Sequence, residues 1–337
     1  MKQWQWAATS TDFKLCVRTS GAPGGKLHQS SQLSARPYLS TQPPISPLCD
    51  AVTALSGWTS GIATNYGGPA DGMSPYSPSF GTQEGACGYG LLSQQQWPYW
   101  SVAALSPSNS FYQAGPSGGC GECFEIQCMS TGEYANNCIT GPNQVSIIVQ
   151  ITDVCPQCEA NHIDLQALTY NKISPISTGR INMQYRRVQC VPPGKMSVVI
   201  DNNVGTNGWL RMFVSEAGGV GAVKQVQIRS SGSSSLWMNM QNTFGSAWEV
   251  PNAPTYPLDV NIISANDEAV TALQAITAPG QIGEVPTNVQ FSIADPSDQS
   301  LTQPGGFTCA QQKAWGHRLA ASHAHSRHRG ACARKAG

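Results

Sequence analysis

Charge is scarce in this chain: only 11% of its 337 residues are Asp, Glu, Lys or Arg, and the formal net charge is zero. Basic residues are scarcest between 57 and 298, where eight Lys/Arg face seventeen Asp/Glu, a balance of 8 − 17 = −9. An acidic body argues against nucleic acid, whose affinity comes mainly from neutralising phosphates with Lys and Arg. Long apolar runs are missing too. Nothing approaches the ~18 consecutive apolar residues of a membrane span, and no membrane span is expected. Residues 1–40 lack the apolar run of ~7–15 residues that marks a signal peptide; Trp4, Trp6, Ala7 and Ala8 are too few. Cysteine is absent from 191 to 308, so a domain there must rely on core packing alone. Acids are absent from Gln299 onward, where six Lys/Arg accompany His317, His323, His325 and His328; such a tract reads as a disordered tail.

Glycine and proline are abundant, at 34 and 23 residues. They favour short strands and many turns over long surface helices. Eight of the twelve cysteines lie between Cys87 and Cys190, at spacings suited to disulfides and hence to an oxidising compartment. The pairs Cys120/Cys123 and Cys155/Cys158 also have C-x-x-C spacing, which zinc can use. The surplus of further cysteines nearby favours disulfides, and no metal or cofactor is called for.

Four segments divide the chain. Residues 1–56, rich in Ser, Gln, Pro and Gly, read as disordered. Residues 57–190 form a first domain, with strands expected at 123–128, 145–151 and 181–188 and a helix at 164–172 capped by Asp164. Val191-Pro192-Pro193-Gly194 is a stiff linker. Residues 191–298 then carry strand patterns at 196–200, 209–214, 223–228, 236–240, 258–263, 270–276 and 289–293, as a β-sandwich would. Residues 299–337 are the basic tail.

The chemistry concentrates in four motifs: Gln83 to Gly90 (Gln-Glu-Gly-Ala-Cys-Gly-Tyr-Gly), Cys120 to Cys128, Ile151 to Pro156 with His162-Ile163-Asp164-Leu165, and Tyr185 to Cys190. They place two carboxylates, Asp153 and Asp164, in a cysteine-stapled β-rich domain and suggest a wall or matrix polysaccharide as target.

These motifs, together with Gly61 to Gly68, resemble the expansins, and the resemblance covers roughly residues 57 to 293. It implies a mainly β architecture: a six-stranded double-psi β-barrel related to family 45 glycoside hydrolases, followed by an immunoglobulin-like carbohydrate-binding sandwich. It also implies the disulfides Cys87–Cys120, Cys123–Cys190 and Cys128–Cys138. Cys155 and Cys158 are left to pair locally or with Cys16, Cys49, Cys309 or Cys332. The expected protein is a secreted, monomeric wall-loosening factor that binds cellulose, xyloglucan or another β-glucan. Secretion conflicts with the first 40 residues, and the expectation is that the sequence starts at the wrong residue.

Inverting hydrolysis needs an acid and a base on opposite sides of the bond. Asp164 occupies the position of the related hydrolases' essential acid, and Asp153 supplies a second carboxylate. The base aspartate expected after the run Thr64-Asn65-Tyr66-Gly67 is missing, with Asp71 and Glu84 as weak substitutes. Without a base, Thr64, Tyr66, Asp153 and Asp164 are expected to grip a glucan rather than cleave it. The alternatives are an endoglucanase or lytic transglycosylase working through Asp164, and a plain carbohydrate-binding or defence-type module.

Flat aromatic rings capture the apolar faces of sugars, and the candidates are Trp209, Trp237, Phe244, Trp248 and Tyr256. Strand parity turns Trp237 outward with Asn239 and Gln241, and Trp209 outward with Arg211. Trp248 aligns with Val250 and Tyr256 with Leu258, which favours burial. The candidate platform is Trp209, Trp237 and Tyr256, with Trp248 as a fourth.

Overall fold

A computed structural model describes residues 52–77, 85–141 and 144–294. The end of the segment expected to be disordered is ordered instead: Ala54 bridges to Val188, the Leu55 N–H donates to the Arg187 carbonyl, and the Ser56 hydroxyl accepts from the Arg187 N–H. Residues 1–51, the tail 299–337, Glu84, and Cys16, Cys49, Cys309 and Cys332 lie outside the described residues.

Six strands close into a barrel: β1 (Thr59–Tyr66), β2 (Val102–Leu105), β3 (Cys123–Cys128), β4 (Ser146–Val154), β5 (His162–Gln166) and β6 (Arg180–Val188). Around the barrel the order is β1-β5-β2-β4-β3-β6. The β1–β5 and β2–β4 pairs are parallel and the others antiparallel. Two short helices, α1 (Ser110–Ala114) and α2 (Ala167–Tyr170), decorate it. The barrel is filled by Phe124, Ile126, Ile151, Ile163, Leu165 and Tyr185, each fully buried. With most strands tied to distant partners, tertiary pairing, not local propensity, selects these segments.

β1 is hidden from pattern reading because Thr-Ser-Gly-Ile-Ala-Thr-Asn-Tyr carries little hydrophobic alternation. Its Gly61 has a steric reason: a Cβ there would collide with the carbonyl oxygen of Asn161. The helix expected at 164–172 starts later. His162–Gln166 is strand, paired on both sides, and the cap is Gln166, whose Oε1 accepts from the N–H groups of Leu168 and Thr169. Asp164 is therefore no cap.

Four disulfides staple the barrel: Cys87–Cys120, Cys123–Cys190, Cys128–Cys138 and Cys155–Cys158. The last closes locally across four residues. With all eight cysteines so paired, none of them is a thiolate for zinc, which removes the C-x-x-C zinc alternative.

The second half of the chain forms two sheets. One, in the order β10-β9-β13-β14, contains β9 (Val223–Ser230), β10 (Met238–Asn239), β13 (Leu258–Ser264) and β14 (Ala269–Ile276). The other runs β11-β12-β8-β7-β15, from β7 (Ser197–Ile200), β8 (Leu210–Ser215), β11 (Gln241–Phe244), β12 (Ala247–Val250) and β15 (Gly283–Pro286). Val226, Ile228, Val260 and Ile262 of the first sheet meet Val198, Ile200, Met212 and Trp248 of the second in one apolar core. The architecture is thus a double-psi barrel followed by a β-sandwich.

Two expected strands are corrected. The 236–240 run is not one strand: Met238–Asn239 joins one sheet, Met240 turns into the core at 4% exposure, and Gln241–Phe244 joins the other sheet. Leu236, which parity sets on the face opposite to Trp237, is 92% exposed. Residues 289–293 form no strand, because the Gln290 side chain takes over the pairing. Its Oε1 accepts from the N–H groups of Gly218 and Phe291, and its Nε2 donates to the carbonyls of Gly194 and Glu216. The edge strand is instead β15, antiparallel to β7.

Candidate functional site

Register across the barrel wall builds the site. Ala63, Ile163 and Leu165 point into the barrel core, so by the period of two Thr64, Tyr66, His162 and Asp164 face outward. Thr64 pairs with Asp164, Asp164 with Ala104, and Ala104 with Asp153. The four residues form a row across β1, β5, β2 and β4. Asp164 and Asp153 are two strands apart, about 10 Å between backbones at the usual strand spacing. Small Ala104 keeps the floor between them low.

Thr64 Oγ1 donates to Asp164 Oδ1 at 2.5 Å and lies 2.7 Å from His162 Nε2. A hydroxyl has one hydrogen, so while Asp164 is ionised it is His162 Nε2–H that donates to Thr64. Burial pushes the Asp164 carboxyl up to about 6. The Thr64 bond opposes this, and the charges of Asp71 and Asp153 add to it. Burial also holds His162 below its usual value, helped by the Arg180 charge. Tyr66 is raised above the ordinary phenol range by burial, then by Asp153 and Asp164.

The remaining acids are tied to backbone. Asp153 Oδ1 accepts from the N–H of Ala86 at 2.7 Å and of Val154 at 2.8 Å. Asp71 Oδ2 accepts from Gly67 N–H at 2.8 Å, shaping the turn that follows β1. Cys155 and Cys158 pack on the outward side of Ala104. They therefore border the row between its two acids.

The Ala86 segment leads to the sandwich. Gly88, at φ +82°, has no room for a side chain: a Cβ would stand 2.6 Å from Phe213 and 2.9 Å from Phe244. Phe213 and Phe244 meet edge to face, with ring centroids 6.2 Å apart. Arg211, outward on β8, lies over Phe244 and over Trp209, at 5.4 and 5.0 Å from their centroids. Glu249 and Asp201 hold its guanidinium. Trp209, Arg211 and Phe244 thus form a layer on the outer face of the five-stranded sheet, next to the barrel.

The other aromatic candidates separate from this layer. Trp248 is 4% exposed within the sandwich core and offers no ring to a ligand, which corrects its place among the platform residues. Its inward aim follows from its register opposite Met212 on β8. Tyr256 is half-buried against the same core. Trp237 stacks on Arg229 of the four-stranded sheet, 4.3 Å from guanidinium carbon to ring centroid. Of this geometry Ala104 is missed by sequence reasoning, while His162 is read there only as part of a motif and Phe244 only as an aromatic candidate left out of the platform. His162 can be found by stepping two residues back from Asp164. Ala104 carries no signal, and the face that Phe244 takes depends on the sheet change at Met240, which strand parity does not see.

Comparison with known proteins agrees with this layout. Residues 104–185 match the family described as lytic transglycolase, and residues 196–277 the expansin C-terminal domain. Expansin-A7 of Arabidopsis thaliana is 30% identical over 207 residues, 57% of this chain and 69% of that protein. Expansin-A10 of Oryza sativa subsp. japonica is 26% identical over 256 residues, covering 72% of this chain and 90% of its own. Among solved structures, the apo expansin of Clavibacter michiganensis superposes with a TM-score of 0.53 at 19% identity, over 71% of this chain and all of that one. A mutant of that expansin in complex with cellohexaose superposes at 0.52 and 20%. From fold, motif order and relatives together, this chain belongs to the expansin family.

Proposed function

We propose that the protein grips β-glucan chains of the cell wall along a path from the Thr64–Asp164–Asp153 row to the Trp209–Phe244 layer, and loosens their mutual contacts without cleaving them. The observation that carries this reading is the state of the carboxylates. Asp164 sits in the row with a raised pKa and a hydroxyl partner, while Asp153 and Asp71 are bound by backbone N–H groups. Those bonds fix one oxygen of Asp153 and one of Asp71 toward the backbone, and Asp164 is the acid of the row raised enough to hold a proton near neutral pH. A protonated Asp164 can instead donate to a sugar hydroxyl, with Thr64 and Tyr66 beside it.

The Ala86–Gly88 segment supports a continuous path, because it touches Asp153 at one end and Phe244 at the other. Cellohexaose bound to the related Clavibacter protein is consistent with a cellulose-type ligand. Four disulfides suit an extracellular, wall-located protein.

The test is reducing-end release from amorphous cellulose and mixed-linkage glucan, run beside sedimentation with cellulose and wall extension under load. The expected result is sedimentation and extension with no release, and extension lost in Asp164→Asn. Extension should rise as pH falls through about 6, where Asp164 takes up its proton. Release that disappears in Asp164→Asn would instead make the protein an endoglucanase. Binding with neither release nor extension would make it a carbohydrate-binding module.

A further inference from the structure

The four-stranded sheet turns its own outer face away from the layer just described, since the two sheets share one core between them. Register arranges that face in rows. Asn239 pairs with Gln227, Gln227 with Asn261, and Asn261 with Thr271, so one row crosses all four strands. Its side chains are joined: Thr271 Oγ1 donates to Asn261, Asn261 Nδ2 to Gln227, and Gln227 Nε2 to Asn239 at 2.7 Å. Gln225 adds a second donor to the same Asn239 oxygen at 2.8 Å. Each amide spends only part of its capacity of two donors and two acceptor lone pairs in this ladder, which leaves hydrogens and lone pairs for a ligand.

The next row begins with Trp237, over Arg229, whose Nε donates to Asp259 Oδ2 at 3.2 Å. One face of the indole is thus covered by the guanidinium, which fixes the ring beside the ladder. The charge beside the ring is matched, Arg229 with Asp259, and Lys224 at the start of β9 pairs with Asp267 in the turn after β13. What remains is a rigid plane of neutral amides with one fixed aromatic ring. Its complement is an uncharged, flat polyol with an apolar C–H face.

Resting on the glucan-binding reading above, we propose that this face is a second binding surface for a neutral β-linked glucan chain, with Trp237 as the stacking ring and Asn239, Gln227 and Asn261 as hydrogen-bonding partners. The sandwich then carries glucan on both outer faces, and one molecule bridges two chains. Bridging gives loosening a mechanical form: the protein is a movable tie that occupies the place of a direct chain-to-chain contact.

The test uses the full chain, amorphous cellulose and soluble mixed-linkage glucan. Sedimentation gives affinity, and flocculation of dispersed cellulose fibrils gives bridging. The unaltered protein is expected to flocculate fibrils. Trp237→Ala should still sediment but lose flocculation, with affinity at one class of sites about tenfold weaker, the scale of one stacking contact. Trp209→Ala should lose flocculation as well and keep the other class. Asn239→Ala removes the exposed end of the ladder on an edge strand, away from the core, and is expected to weaken the same class as Trp237→Ala at an unchanged Tm.

Flocculation and affinity unchanged in both Trp237→Ala and Asn239→Ala would overturn the proposal and leave the ladder as a sheet-stabilising device. A lowered Tm with unchanged binding would overturn it equally. Preference for polygalacturonate over glucan would overturn the neutral ligand. If the unaltered protein fails to sediment with any glucan, the earlier reading fails. If it sediments and only Trp209→Ala matters, that reading stands and this one falls.

Discussion

The barrel and the sandwich are β-structures of similar size held by different means. The barrel has four disulfides and buries charge. Glu122 and Glu125 are almost fully enclosed, paired with Arg187 and Arg186 at 3.0 and 2.7 Å. The sandwich has no cysteine and packs an apolar core; its pair Arg211–Glu249 is partly exposed, and among the described residues Asp259 of the pair Arg229–Asp259 is the one acid it buries, at 1% exposure. A barrel whose outer wall must display Asp164, Thr64 and His162 spends wall positions on polar groups, and covalent links offset the loss. The sandwich keeps its aromatic layer and amide ladder on its outer faces and fills its interior with apolar side chains. The lesson is that the functional surface of each half sets how that half is held together.

The largest break in this contrast comes from removing Cys123–Cys190, which closes a 67-residue separation. Cys123→Ser with Cys190→Ser should cost the barrel about 4 kcal/mol. Hydrogen exchange should show β3 and β6 opening early while β8 and β13 keep their protection. Opening of both halves together would show the sandwich to depend on the barrel's staples. Next is Met212→Ala at a fully buried core position. A loss of about 3 kcal/mol is expected from the sandwich, read by the same exchange experiment with the pattern reversed.

The halves should also answer pH with opposite signs. Burial pushes Glu122 up to about 7, against the pull of Arg187, and Asp164 up to about 6. A raised carboxyl binds its proton earlier in the folded state than in the unfolded one. Barrel stability therefore rises as pH falls from about 7 toward 4. His162, held low by burial, opposes part of this below its ordinary value of 6.5. In the sandwich, burial raises Asp259, but the N–H of Gln274 and the Ser231 and Arg229 side chains outweigh it and hold the carboxyl low. Glu249 is likewise held low: burial raises it, and bonds from Thr243 and Arg211 outweigh that. Stability from these two is present above about pH 4 and is lost as pH falls below it. Asp164→Asn should stabilise the barrel by about 2 kcal/mol at pH 7 and by nothing at pH 4, measured by denaturant unfolding, even as wall extension is lost. Equal stabilisation at both pH values would place Asp164 outside the buried, raised-pKa setting.

The smallest effect is expected at Lys224–Asp267, a pair whose acid is 79% exposed. Lys224→Ala should change stability by less than about 1 kcal/mol, since solvent screens such pairs. A larger loss in denaturant unfolding would mean that the four-stranded sheet depends on its surface charges after all.

Much of this is legible in sequence where chemistry is local. The strand Cys123–Cys128 can be read directly from its apolar residues, and the motif around His162-Ile163-Asp164-Leu165 singles out its acid. Legibility fails where a segment serves two partners. Asp164 to Gln166 looks like the start of a helix because Asp164 is a cap-type residue; only pairing with β1 and β2 makes it strand. Leu236 to Met240 looks like one strand because parity cannot see the change of sheet at Met240.

By itself, then, the sequence determined the β-rich class, the two halves, the stapled and unstapled character of each, and the acids and rings from which a site could be made. Those properties follow from composition and short-range spacing, which every conformation of the chain shares. Tertiary structure alone decided that Thr64, Asp164, Ala104 and Asp153 stand in one row, that Phe244 meets Gly88, and that Asn239, Gln227, Asn261 and Thr271 join into a ladder. These groups are brought together by strand register, which is set by the burial of opposite faces over the whole sheet.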